Sequence, residues 1–437
     1  MAGNARSGTA PRRRFVPRGH SVSWLMLAVT TGAILITSVD RVILFRVLPS
    51  IQEEFGLSNA AAGFLASLNF IGITIGAIVL GVFGDVFGKG PRRAWTWAVA
   101  VAITVVSAVF TAFTQTVRGL QVWRVVMGVG TGGMEPVNVA MVGEWWQKEN
   151  RGFAVGTHHT GFPLGQFFGP LMIGGVLAVA TWREAFLFVP LVAIPIVILQ
   201  IVLARRRNLE RVNAWIRENG MTPSVEADEI GEGDRENPIK AVGIVIRNRN
   251  VLLAVAMAFC FLFAEFGIDT FLTVYLTNEV GIPLAAAVVV SGASGLTGWI
   301  GQIVWGTLSD GLGRKFSLSI IAVGWTVAVL AIIFISDLLT AWIILLGWGL
   351  FRNSPFPVLY AFLIDSVPDA ASSGMGLMIG VALGVAATIS ASVAGLVIDS
   401  YGYTVNYIFL AIPCLLALIP LAFMRETGIT GSETAQE

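Results

Sequence analysis

The sequence predicts an all-α membrane protein of twelve transmembrane helices in two six-helix bundles, with both termini cytosolic. Composition is the first ground: of 437 residues 55% are hydrophobic, only 13% are charged, and mean hydropathy is +0.77. A soluble chain carries about 25% charge, so most of this surface is expected to face lipid. The second ground is that apolar runs of the length needed to span a bilayer, ~20 residues, recur twelve times. The third is the placement of Lys and Arg. With the N-terminus inside, 22 of the 28 fall in inside segments and only Arg118 and Arg183 in outside loops, the bias that sets orientation.

The runs lie near 24–49, 60–84, 94–114, 119–145, 152–180 and 184–204, and then near 249–278, 284–309, 317–336, 339–366, 372–399 and 403–424. Residues 1–23 read as a cytosolic tail rather than a signal peptide, and 425–437 as a second tail. The long polar stretch 205–248 is the expected linker between an N-terminal bundle, 24–204, and a C-terminal bundle, 249–424. Within it, Arg205 to Asn219 carries Leu209, Val212, Trp215 and Ile216 at helical spacing, and Met221 to Asn237 reads as flexible. The many glycines (49) predict close helix–helix approach. Cys260 and Cys414 lie in apolar runs, so no disulfide is implied.

The informative residues are charges inside the apolar runs, where each costs at least ~2.5–3.5 kcal/mol and marks a lined path or a partner. Asp40 and Arg41 are adjacent in run 1, about 100° apart on a helix, and each must look to another helix or to a ligand. Arg46 lies about 9 Å beyond Asp40 and is expected to snorkel to the interface. Arg124 and Glu135 fall in run 4, Glu265 and Asp269 in run 7, and Arg352 in run 10. Asp365 and Glu144, near inner ends, are expected to be solvated.

The two halves repeat. Gly81-Val-Phe-Gly-Asp85-Val-Phe-Gly88-Lys89 matches Gly306-Thr-Leu-Ser-Asp310-Gly-Leu-Gly313-Arg314 at an offset of 225, each after the second run of its half. Asp40 and Glu265 share that offset. Over all twelve runs the chain resembles the major facilitator superfamily, and this loop resembles that family's signature between helices 2 and 3. The first copy departs from it, with Val86 where the family usually has Arg. The resemblance implies two bundles around a central cavity, opened to each side in turn. It also implies a cavity lined by helices 1, 4, 7 and 10, where the intramembrane charges fall. Gly81, Asp85, Gly88, Asp310, Gly313 and Arg314 are then the expected gating motif.

A narrower resemblance is to the anion:cation symporter branch, which includes sugar-acid and phthalate carriers. It rests on Asp40-Arg41, Pro49 to Ser58, Arg124-Val-Val-Met-Gly-Val-Gly, Pro136, Trp145-Trp146, Arg151-Gly152, Trp182-Arg183 and Arg247-Asn-Arg-Asn. That branch usually has Glu seven residues after the run-4 Arg, a position held here by Thr131. Glu135, one turn on, is expected to take its place.

Arginine forks suit carboxylates, so Arg41, Arg352 and Arg124 are the expected substrate residues, with Gln166 and Tyr360 as hydrogen-bonding partners. For each arginine the alternative is a fixed internal ion pair. Glu135, Asp40, Glu265, Asp269 and His159 are the expected proton-coupling residues, since burial and a competing arginine move a carboxyl in opposite directions and His titrates near neutrality. Static pairing is the alternative, and a polar helix contact is the commoner role for one of His158 and His159. Trp299 and Trp305 stack a ring or pack. No metal-ligand cluster, cofactor motif, nucleotide loop or nucleophile constellation is present, so neither an enzyme nor a metal site is expected. The expected partners are a small organic anion, protons and the bilayer, with no nucleic acid, for a monomer in a bacterial inner membrane. Proton-coupled uptake is the favoured reading. The alternative is an antiporter exporting drug-like or aromatic compounds, because Gly156, Gly165, Gly169-Pro170 and Gly174-Gly175 resemble the family's antiporter signature. A sensor that kept the fold is a third reading, disfavoured by the short soluble parts.

Overall fold

The computed structural model describes residues 17–225, 243, 245–367 and 377–427. Among them every regular element is helical. Among the described residues nine helical segments, some of them joined from two or more pieces, are long and apolar enough to cross a membrane. Spans 1 to 4 are Ser21–Phe55, Asn59–Phe87, Pro91–Phe113 and Val117–Glu144. Span 5 is Arg151–His159 followed by Gly161–Leu177, and span 6 is Trp182–Phe188 followed by Ala193–Leu203. Spans 7 to 9 are Arg249–Asn278, Leu284–Ser291 with Ala293–Leu312, and Arg314–Ala331. Span 10 is Leu338–Arg352 followed by Pro355–Ser366. Spans 11 and 12 run through Gly384–Leu416 and part at Gly402, whose φ of 81° leaves the helix there; span 11 enters through the π-helical stretch Met378–Leu383.

Local chemistry explains the starts and breaks. Ser58, Thr116 and Asn248 accept backbone N–H bonds at 3.1–3.2 Å and open spans 2, 4 and 7, each satisfying a donor the helix itself cannot pair. Thr181 with Glu184 and Asp337 with Thr340 form capping boxes at spans 6 and 10. Span 10 breaks because Pro355 has no N–H for the Phe351 carbonyl. That oxygen instead accepts from Ser354 N at 3.1 Å and Trp325 Nε1 at 2.8 Å.

Small residues bring the helices together. Gly72 and Gly76 of span 2 meet Gly128 and Gly132 of span 4, and a Cβ on any of the four would run into the other helix's backbone. With no hydrophobic force between helices in lipid, such close packing holds them. In span 5, Gly165 and Gly169 abut Leu35, Ser38 and Val39 of span 1, and Gly174 abuts Val289 of span 8. These three glycines therefore serve packing. Gly156 and Gly175 face open space.

The Arg206–Glu218 helix buries Leu209, Val212 and Ile216 against the N-terminal half, with Asn213 beside them donating to Val225 O at 2.8 Å. Trp215 instead lies edge-on to His20. The expected flexible stretch lies, from residue 226 on, outside the described residues.

The halves meet along a seam at the end opposite the termini. Asp399 of span 11 accepts from Asn59 N at 3.1 Å, Asn59 Nδ2 at 2.9 Å and Ala60 N at 2.7 Å, capping span 2 across the two halves. Next come Ser67 against Ser392 at 2.8 Å, Gly63 against Ala391 and Thr74 against Gly384. Spans 5 and 8 close the other side through Gly292 on Pro170. The seam ends about midway, and a cavity opens between the halves toward the end that carries the termini. Span 1 is buried at every residue from Ser38 to Pro49, and span 7 from Phe261 to Leu276, so these two helices form the centre of the molecule.

Candidate functional site

The cavity, counted together with the open solvent space at its mouth, amounts to about 850 Å³. Ser38, Arg41 and Val42 of span 1, Glu135 of span 4, and His159, Phe162 and Gln166 of span 5 line one side. Leu262, Glu265, Phe266 and Asp269 of span 7, Gln302 of span 8, and Arg352, Asn353, Phe356 and Tyr360 of span 10 line the other, with Met378 and Leu383 from the start of span 11.

On the N-terminal side Arg41 Nη2 donates to Glu135 Oε2 at 3.0 Å, with both side chains about nine-tenths buried. The guanidinium lies 5.2 Å from the Phe162 ring centroid, and its Nε has no hydrogen-bond partner. One nitrogen of the arginine is thus held by Glu135, Nε is buried without a partner, and the side chain lines the cavity. His159 stacks between Phe162 and Tyr360 at 6.0 and 6.3 Å, which joins the two halves at the cavity wall.

On the C-terminal side each guanidinium nitrogen of Arg352 is engaged. Nε donates to Glu265 at 2.9 Å, Nη1 to Ser294 Oγ at 2.8 Å and Nη2 to Asp269, and the Trp348 ring lies 4.7 Å from its Cζ. Gln166 reaches across from span 5, accepting from Asn353 Nδ2 at 3.0 Å and donating to Glu265 at 3.5 Å. All five donors of a buried arginine need partners, and here protein groups supply most of them. Arg41 is the more open cation of the two.

Of the residues expected at the site, Arg41, Arg352, Gln166, Tyr360, Glu135, Glu265, Asp269 and His159 come together around this cavity. Asp40 and Arg124 do not line it. Arg124 is buried between spans 3, 4 and 6, donating to Thr111 Oγ1 at 3.0 Å beneath Phe186, whose ring is 4.5 Å away. Asp40 is 2% exposed, neither carboxylate oxygen has a hydrogen-bond partner, and the charge of Arg124 acts on it. Rotation explains the split: Asp40 and Arg41 point about 100° apart, one into the N-terminal bundle and the other into the cavity.

Two further expectations are corrected. Arg46 does not snorkel: it is 0% exposed and 3.6 Å from Asp269, because spans 1 and 7 press together at the closed end. Glu144 is not solvated: it is buried, pairs with Arg93 at 2.7 Å and accepts from Gly90 N at 2.8 Å, since the tight loop after span 2 folds over the end of span 4. Asp365, in contrast, is exposed, 3.5 Å from Arg314 Nε.

In the loop repeat, Gly88 (φ 119°) and Gly313 (φ 92°) end spans 2 and 8 in a conformation only glycine adopts readily. A Cβ placed on Gly81 would touch Pro136 at 3.8 Å, as one on Gly306 would touch Pro357 at 3.7 Å. Arg314 Nη1 donates to Ser309 Oγ at 2.8 Å. The side chains of Asp85 and Asp310 lie outside those described.

Phe162, Phe266 and Phe356, which give the cavity its aromatic surface, were not distinguished by sequence reasoning from the other 24 phenylalanines. Their positions within one to three residues of a site polar group were the signal available. Trp305 packs on Phe351 at 5.9 Å, and neither it nor Trp299 lines the cavity.

Comparison with known proteins agrees with this architecture. The profile of the Major Facilitator Superfamily matches residues 30–381 and 290–436. The cis,cis-muconate transport protein of Acinetobacter baylyi is 24% identical over 77% of this chain and 78% of its own. The benzoate transport protein of the same bacterium is 21% identical over 92% of this chain and 90% of its own. A probable sulfoacetate transporter of Cupriavidus necator is 28% identical over 67% and 66% respectively. Among solved structures, a bacterial homologue of the human lysosomal transporter Spinster superposes with a TM-score of 0.69 at 14% identity, covering 93% of this chain and 97% of that one. The chain belongs to the major facilitator superfamily, and is a multi-pass membrane transporter rather than an enzyme.

Proposed function

We propose that this transporter carries a small organic carboxylate, with a proton, across a bacterial inner membrane. The carrying observation is the Arg41 corner of the cavity: a guanidinium with one bond to Glu135 at 3.0 Å and one unfilled nitrogen, facing Phe162. A carboxylate attached to a flat apolar body would take the fork and lie against Phe162, Phe266 and Phe356. Muconate and benzoate, the names printed for two relatives, have that chemistry. A carboxylate on Arg41 displaces Glu135, and a buried acid that loses its arginine takes up a proton. Anion and proton then enter the cavity together, with Glu135 as proton carrier and Asp40, behind the cavity wall beside Arg124, as a second. Given the Lys and Arg distribution, the termini are cytosolic and the conformation described faces inward. Asp399 on span 2 then closes the outer side, while the glycine-rich loops around Asp85 and Asp310 gate the inner one. The protein works as a monomer of two bundles, 24–204 and 249–424, joined by the 205–248 linker.

Proteoliposomes holding the purified full-length protein and a pH dye test this. Adding benzoate or muconate outside should make the external medium more alkaline, and Glu135→Gln should abolish that signal. Flux evoked only by a compound loaded inside, or only by cationic drugs, would instead establish an exporter. Unchanged transport in Arg41→Ala would refute the anion site.

A further inference from the structure

Arg46 has no part in that mechanism, yet it is a fully buried charge. It is 0% exposed, and none of its three guanidinium nitrogens has a hydrogen-bond partner. It faces Asp269 Oδ1 at 3.6 Å. Packing alone is a poor reason to bury an arginine, because an apolar residue fills the same space without desolvating a charge.

The two partners sit in different halves, Arg46 on span 1 and Asp269 on span 7. The other Asp269 oxygen is held by Arg352, which also holds Glu265 at 2.9 Å. Arg46, Arg352, Glu265 and Asp269 therefore form a buried group of two cations and two carboxylates, balanced in charge. The surrounding groups do not alter that balance. Gln166, Ser294 and Asn353 are neutral, and Arg41, whose charge reaches Glu265, is bonded to Glu135.

Arg46 lies on the closed side of the cavity, where the halves must part if this end opens. Glu265, Asp269 and Arg352 all belong to the C-terminal half and move as one. Arg46 leaves with span 1. Two carboxylates then share one arginine, and like charges in one site favour protonation of one of them.

We propose that Arg46 is a conformation-dependent counter-cation. It keeps Glu265 and Asp269 ionised while this end is closed, and its withdrawal lets one of them bind a proton when the end opens. Proton loading is thereby tied to the direction the transporter faces. The inference rests on the alternating exposure included in the reading above, and not on which anion is carried.

The test is infrared spectroscopy of the purified full-length protein near neutral pH, with no substrate added. Arg46→Gln should gain a protonated-carboxyl band that shifts in D₂O and is absent from wild type and Arg46→Lys. The band should disappear in Arg46→Gln combined with Asp269→Asn or with Glu265→Gln. A folded Arg46→Gln with no new band would overturn the proposal, as would a band surviving both double variants. A second measurement leaves Arg46 in place. Cysteines at Asn59 and Asp399, whose side chains are 2.9 Å apart, are crosslinked with Cys260 and Cys414 replaced by Ser. Holding this end shut should keep the band from developing at a mildly acidic pH where the uncrosslinked protein shows it; identical spectra with and without the crosslink across the pH range overturn the proposal. If no carboxylate drives flux, these spectra keep their meaning, so the two readings fail separately.

Discussion

Replacing Glu135 by Gln isolates the competition on which coupled transport depends. Gln keeps the volume of Glu and removes only the charge. In the wild type an incoming carboxylate must first displace Glu135 from Arg41, a single charge-assisted bond of 3.0 Å between side chains 8% and 9% exposed. At an effective dielectric of about 20 the Coulomb attraction at such a distance is about 5.5 kcal/mol. Desolvation of the two ions offsets much of this, leaving a net value of about 1.5–3 kcal/mol for a hydrogen bond to a charged group. Removing the competitor should therefore tighten binding of benzoate or muconate about tenfold or more, since 1.4 kcal/mol is a factor of ten. Calorimetric titration of the detergent-purified variant against wild type measures the change. Unchanged or weaker binding in Glu135→Gln would refute the idea that Glu135 competes with the substrate.

Other consequences concern the frame. Gly76→Leu should prevent spans 2 and 4 from meeting, because even a Cβ there overlaps the Val129 carbonyl; thermal unfolding in detergent should show a loss on the order of 3 kcal/mol or more, the range for overpacking without room to relax. Asp399→Asn should speed amide exchange at residues 59–62 by several fold, as the charged cap on span 2 is lost, while exchange in spans 3 and 4 stays unchanged. At the start of span 10, the N–H of Thr340 at 2.9 Å holds the Asp337 carboxyl below its ordinary value. That cap is fully present above the usual Asp range and is lost as pH falls through the lowered value, so exchange at 338–341, corrected for intrinsic rates, should rise only in acid. Asp337→Ala should show the fast exchange at every pH.

Much of this protein was legible in one dimension. Apolar runs, the Lys and Arg bias and the 225-residue repeat are properties of segments, and bilayer thickness turns segment length into a span. Caps such as Ser58 and Asn248 and the break at Pro355 are equally local, because the donors and acceptors they serve are within four residues. Arg41 and Glu135 stood out as candidates in the sequence as well, since a charge in an apolar run needs an explanation wherever the helix packs.

Tertiary structure decided where those charges point and what meets them. Asp40 and Arg41 are neighbours in the chain but belong to different environments, one facing Arg124 within the bundle and the other the cavity. Arg46 read as an interfacial residue until span 7 was seen to cover it. Glu144 read as solvated until Arg93 and Gly90 closed on it. The three cavity phenylalanines carried no mark beyond their closeness in sequence to site polar residues. The physical reason is common to these cases. Helix length and insertion depend on residues near one another in sequence, whereas pairing of a buried charge depends on helix rotation and on partners as much as 223 positions away, as between Arg46 and Asp269.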